Sequence, residues 1–215
     1  MSRPQLIASD ASDLIWVCRQ LSAALQGDRS LVTALDSLSA DAPPRAREFL
    51  QAMRRALAAG EKMGPALTRL GAPAFASGLV WAGEVGARLA PCLTRLADQL
   101  EMERQLPPPR DTLLFAYGLA FSRLAALLKE RVPILNARDL SGESTGVPQV
   151  QQTCYELHRA VAEGLLLGAA LSLATDDLPE NALAMIGDGE AAGHLEETLT
   201  IVADYLFDEA GQKEA

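Results

Sequence analysis

GEVGARLAPCLTRLADQL, residues 83–100, and GEAAGHLEETLTIVADYL, residues 189–206, are two versions of one pattern. Gly83-Glu84, Leu89, Leu93, Ala97 and Leu100 recur as Gly189-Glu190, Leu195, Leu199, Ala203 and Leu206, at a constant offset of 106. Upstream, Pro44, Arg55, Ala56, Ala58, Gly60, Gly64, Ala66 and Leu67 return as Pro148, Arg159, Ala160, Ala162, Gly164, Gly168, Ala170 and Leu171, offset by 104. The drift needs two extra residues in the second copy, and Asp176-Asp177 sit in the loop that would take them. A repeat of this length means one folding unit used twice.

The unit is helical. Leu89, Leu93, Leu96 and Leu100 step by four, three and four, as do Leu195, Leu199, Val202 and Leu206, which places each set on one helical face. Burying a large aliphatic side chain contributes roughly 1.5–3 kcal/mol, so four of them outweigh any exposed ion pair on the far face. Phe49, Met53 and Leu57, and in the second copy Val150, Cys154, Leu157 and Val161, form a similar stripe earlier in each copy.

Period and punctuation predict helices near 12–26, 31–40, 44–59, 64–70, 74–84 and 88–106. In the second copy they predict helices near 112–130, 134–141, 148–163, 168–175, 179–187 and 194–210. Pro44 and Pro148 are placed to open the third helix of each copy. Gly60 and Gly164 fall where a helix end favours a left-handed residue. Pro107-Pro108-Pro109 cannot continue a helix and forms a short, stiff spacer. The expected architecture is all-α: two tandem six-helix bundles of about 100 residues related by internal duplication. The expected boundaries are 1–106 for the first bundle, 107–112 for a proline-rich linker and 113–215 for the second. The tail after Asp208 is expected to fray.

Composition narrows the function. Of 215 residues, 49% are hydrophobic and only 5% aromatic, enough for buried cores of close-packed helices. The longest uncharged stretch, Leu70 to Gly83, is shorter than the roughly 20 apolar residues of a membrane span and contains Pro73 and three glycines. No signal-peptide core stands at the N-terminus, so no membrane insertion and a cytoplasmic location are expected. Residues 1–109 hold 12 Lys/Arg against 11 Asp/Glu, and residues 110–215 hold 7 against 17. An acidic half argues against nucleic acid as a partner, and is either a solvated face or a docking surface for a basic partner. Cys18, Cys92 and Cys154 are dispersed in apolar patterns and read as small buried hydrophobes in a reducing compartment. His158 and His194 lack a ligand partner at usable spacing, so neither metal nor cofactor is expected.

The frame of the repeat is more specific than its Gly-Glu pair. The second copy shows Val132-Pro133-Ile134-Leu135, then Gly168, Ala170 and Leu171, then Leu178-Pro179, Met185-Ile186, Gly189-Glu190, Gly193 and Leu195. This frame resembles the F-domain family of type II secretion and type IV pilus machines, whose members are inner-membrane platform proteins with two helical F domains. The resemblance covers roughly 13–105 and 113–210. The first copy departs from it: Gly86 stands one place early, Arg88 replaces His194, Pro91 enters the first turn and Ser30 replaces Pro133. The proline linker also stands where family members carry membrane spans.

The resemblance implies a non-catalytic interaction or scaffold protein. Its partners would be an assembly ATPase, platform components or a second copy, the last as a homodimer or an intramolecular pseudo-dimer. The alternative is a soluble adaptor or regulator reusing the fold outside secretion. Gly83, Glu84, Leu89, Gly189, Glu190, Gly193 and Leu195 are the family-motif or partner-binding candidates. Two readings of the Gly-Glu pair stay open. In one, the glycine makes the turn between helices five and six and the carboxylate caps helix six. In the other, Glu84 or Glu190 contacts a partner or a divalent cation at an oligomer interface. Asp176-Asp177, followed by Pro179, reads as a loop insertion. Ser141-Gly142-Glu143-Ser144 reads as a turn with no base nearby, and Trp16 and Trp81 are expected in the core.

Overall fold

The computed structural model describes residues 11–27 and 29–212, and every regular element within them is an α-helix. The chain divides into two compact units, residues 1–105 and 106–215. The first contains α1 (Ala11–Gln26), α2 (Leu31–Asp41), α3 (Pro44–Ala58), α4 (Met63–Arg69), α5 (Ala74–Val85) and α6 (Leu89–Gln105). The second contains α7 (Thr112–Lys129), α8 (Ile134–Glu143), α9 (Pro148–Ala162), α10 (Leu167–Ala174), α11 (Glu180–Ala192) and α12 (Leu195–Gln212). Each expected helix is present with its ends shifted by a few residues. The expected fraying after Asp208 does not occur before Gln212, because Leu206 and Ala210 remain buried. Residues 213–215, and most of the N-terminal stretch read for a signal peptide, lie outside the described residues.

The first and last helices of each unit pack along one another, α1 on α6 and α7 on α12. Leu93, Leu96 and Leu100 are buried on α6, and Leu199, Val202 and Leu206 on α12. The leading members Leu89 and Leu195 are half-buried, because each stands at the open start of its helix. Polar contacts fix the α1–α6 pair: the Ser22 hydroxyl donates to the Ala90 carbonyl at 2.8 Å and lies 2.7 Å from the Thr94 hydroxyl. Across α7 and α12, Gly118 leaves room for the Phe207 ring, whose Cε1 would lie 2.7 Å from an added Cβ.

Helix α7 differs from expectation. It is long and apolar enough to cross a membrane by length and composition, and 67% of that stretch is buried inside the unit. Counting only charge-free runs missed it, because Arg123 interrupts the run. That guanidinium is itself buried and donates to the Ser144 carbonyl at 2.8 Å. The tryptophans also depart from expectation: Trp81 is 43% exposed and Trp16 is half-buried. Ser141 to Glu143 belong to the end of α8 rather than to a turn. There Gly142 lets α8 approach Cys154 of α9, whose Cβ would lie 2.8 Å from an added side chain.

The duplication extends to individual hydrogen bonds. The Glu61 amide donates to the Ala56 carbonyl at 3.1 Å past Gly60, and the Leu165 amide to the Ala160 carbonyl at 3.0 Å past Gly164. Both glycines are left-handed, with φ +83° and +95°, as the cap reading requires. The offset changes between α4 and α5. The first unit closes this loop with left-handed Gly71, whereas the second uses the longer run Thr175-Asp176-Asp177. In that run the Asp177 amide donates to the Thr175 hydroxyl at 3.1 Å.

One difference carries a testable cost. The Arg88 amide donates to Gly83 and the His194 amide to Gly189, both at 2.8 Å, so α5 and α11 end in the same motif. The left-handed residue is Gly193 in one and Ala87, at φ +53°, in the other. A Cβ in that conformation costs roughly 1–2 kcal/mol, part of which is offset by the smaller unfolded-state freedom of alanine. Ala87→Gly is therefore expected to stabilise the first unit by about 1 kcal/mol. Gly193→Ala should destabilise the second by a similar amount. Urea midpoints at unchanged slope measure both.

Candidate functional site

Two short helices open without a capping side chain of their own. α4 begins after Lys62 and α10 after Leu166, and neither residue accepts a hydrogen bond from the helix start. The amides there still need acceptors. Glu84, in the last turn of α5, supplies them: the Met63 amide donates to its Oε1 at 2.7 Å and the Gly64 amide to its Oε2 at 3.0 Å. Glu190 on α11 does the same for Leu167 at 2.8 Å and Gly168 at 3.1 Å. The carboxylate charge also sits at the positive end of each helix dipole.

The cap is therefore real, but its target is α4 or α10 rather than the helix that follows. Sequence proximity suggested helix six. The side chain instead points back across the bundle to amides 20 to 23 residues upstream. The glycine role differs as well. Gly83 and Gly189 lie inside α5 and α11, not in the turn. An added Cβ on Gly83 would come within 2.9 Å of Cys92 Cβ, and one on Gly189 within 2.6 Å of Thr198 Cβ. These glycines let α6 and α12 pack against the preceding helix.

The partner glycines complete the arrangement. A Cβ on Gly64 would lie 2.6 Å from Trp81 Cβ, and one on Gly168 2.7 Å from Gly187 Cα. In each unit, α4–α6 or α10–α12 thus form a clasp. One glycine admits the middle helix, a second admits the last, and the glutamate binds the first. Leu89 and Leu195 open the last helix of the clasp, and Gly193 makes the preceding turn. An open cleft of about 480 Å³ in the first unit is lined by Leu25, Leu31, Lys62, Glu84, Arg88 and Pro91.

Other candidate chemistry is sparse. The three cysteines are buried and form no disulfide with one another, and burial pushes the Cys18 thiol up to about 12 despite the opposing charge of Arg19. His158 lies 3.2 Å from Asp139, a pairing that spacing had not revealed. Among the described residues no group of three His, Cys, Asp or Glu side chains gathers. Sequence reasoning missed Tyr117, whose hydroxyl lies 2.8 Å from that of Thr153 and donates to Thr175 Oγ1 at 3.1 Å. Burial raises the Tyr117 pKa, while these two bonds oppose the rise. The only signal for it was one polar-tipped ring within the apolar run TLLFAYGLAF.

The pattern of the family described as Type II secretion system (T2SS), protein F, matches residues 17–106 and again residues 120–215. Over 86 residues the chain is 31% identical to the Type IV pilus assembly protein PilC of Myxococcus xanthus (strain DK1622). That alignment takes in 40% of this chain and 20% of the relative, so the chain matches about a fifth of the relative's length. With both halves matched in tandem and the same clasp built twice, this chain belongs to the type II secretion system protein F family.

Proposed function

We propose that the chain is a non-catalytic docking module of a secretion or pilus machine, acting at the cytoplasmic side of its membrane platform. It would join an assembly ATPase or a platform component through the outer faces of its two units. In this reading Glu84 and Glu190 serve binding indirectly, by fixing the helices that carry those faces. Both oxygens of each carboxylate accept backbone amides, which leaves them poorly placed for acid–base chemistry or for direct contact with a partner.

One observation carries the reading. Among the described residues, each large apolar residue exposed in one copy corresponds in the repeat to a small or polar residue of the other. Val32, Trp81 and Val85 correspond to Asn136, Gly187 and Ala191. Tyr155, Leu166, Leu173 and Ile201 correspond to Gln51, Lys62, Arg69 and Arg95. The clasp is repeated while the exposed apolar positions are not. Exposed apolar side chains that segregate this way fit two different protein contacts better than one contact used twice.

Site-specific photocrosslinking in the native cell tests this. A photoreactive residue at Trp81 and another at Ile201 should give adducts of different mass, at least one containing a secretion or pilus component. Adducts made only with proteins outside such machines would overturn the assignment.

A further inference from the structure

Leu166, Ala169 and Leu173 follow one another by three and four residues and lie on the solvent side of α10. Leu173 is 76% exposed and Leu166 58%. Leu167, Gly168, Ala170 and Leu171 form the opposite, buried side. Leu173 opens into a cleft of about 410 Å³, where Gln152 and Glu156 of α9 face Thr175, Asp176 and Asp177. Glu156 accepts a hydrogen bond from Gln152 at 2.8 Å, and Asp177 accepts one from Thr175 at 3.0 Å. Among the described residues none of the three acids pairs with a lysine or arginine.

The first unit has no equivalent. Glu156, Leu166 and Leu173 correspond there to Ala52, Lys62 and Arg69, and Arg69 is already paired with Glu61 at 2.8 Å. The loop that supplies Asp176-Asp177 is the two-residue insertion itself. The insertion therefore adds an acidic rim beside a helix face that has turned apolar. The apolar stripe has the spacing that receives a helix, and the rim has the charge that selects its partner's sign.

We propose that the α9–α10 face of the second unit docks a cationic amphipathic helix of a partner protein. Its apolar side chains seat on Leu166 and Leu173, and its lysines or arginines meet Glu156, Asp176 and Asp177. This rests on the docking-module reading above and names the chemistry of one of its two contacts.

The test titrates the full chain with a fluorescein-labelled leucine/lysine helical peptide, followed by anisotropy, beside a control peptide with serine in place of leucine. The leucine peptide is expected to bind roughly tenfold or more tightly than the control. Leu173→Ser should weaken it by about tenfold, with helicity and Tm unchanged because Leu173 is mostly in solvent. Asp176→Asn with Asp177→Asn should weaken it by a similar factor and flatten its salt dependence. Glu196→Gln with Glu197→Gln, acids exposed at the start of α12, should leave it as it was.

Equal binding by wild type and Leu173→Ser overturns the proposal. So does an equal loss in the α12 variant, which would mean bulk charge attraction, or Leu173-dependent binding to neutral lipid vesicles without peptide binding. If the peptide docks as described while crosslinking finds no machine component, the docking face stands and the secretion assignment falls.

Discussion

Glu190→Ala should lower the Tm of the second unit by on the order of 10 °C. The substitution removes the acceptor for the Leu167 and Gly168 amides, and α10 has only eight residues with which to compensate. Losing a helix cap costs about 0.5–2 kcal/mol, and a hydrogen bond to a charged group is worth about 1.5–3. Water reaches the half-buried carboxylate, which places the sum at about 1–3 kcal/mol. For a unit of this size each kcal/mol moves Tm by roughly 4–8 °C. Glu190→Gln should fall between, because one amide would then face the –NH2 end of the glutamine. Differential scanning calorimetry measures the shift, and hydrogen exchange at Leu167 and Gly168 locates it. Wild-type Tm in the alanine variant would mean that the cap contributes nothing. Glu84→Ala should act likewise on Met63 and Gly64.

The other large effect is steric. Gly189→Ala should destabilise the second unit by about 2–3 kcal/mol, near the top of the usual range for overpacking. It meets the Thr198 side chain, where Oγ1 is the nearest atom and where the Cβ, 2.6 Å away, cannot rotate clear without moving α12. Helix α11 provides its own control two residues earlier. An added Cβ on Gly187 meets nothing within 4 Å. Gly187→Ala should therefore stabilise by about 0.5–1 kcal/mol, through helix propensity alone. Urea denaturation of the two variants should give midpoints on opposite sides of wild type. Midpoints shifted the same way would mean that close helix approach is not the role of Gly189.

The order of the helices was readable because its signals are local. Leucines at three- and four-residue steps define the faces, and Pro44, Pro148, Gly60 and Gly164 mark the ends. The insertion at Asp176-Asp177 was readable from a change in offset. The clasp was only half legible. The Gly-Glu pair stood out by repetition, but its partners are amides 20 to 23 residues away, and no local pattern encodes that distance. The available hint was negative: Lys62 and Leu166 are poor caps for the helices that follow them. Trp81 was misplaced because α5 is apolar almost all round, so periodicity could not tell its outer face from its inner one. Helix α7 was overlooked as a span-like segment because Arg123 breaks its charge-free run, although that side chain is buried.

During synthesis from the N-terminus, the amides of Met63 and Gly64 leave the ribosome 21 and 20 residues ahead of the carboxylate that satisfies them. In the second unit the delay is 23 and 22 residues. A helix of seven or eight residues cannot hold itself in water during that wait. α4 must therefore take its final form together with α5, and α10 with α11. A released chain that ends just before Glu84 or Glu190 should show its short helix still open to proteases.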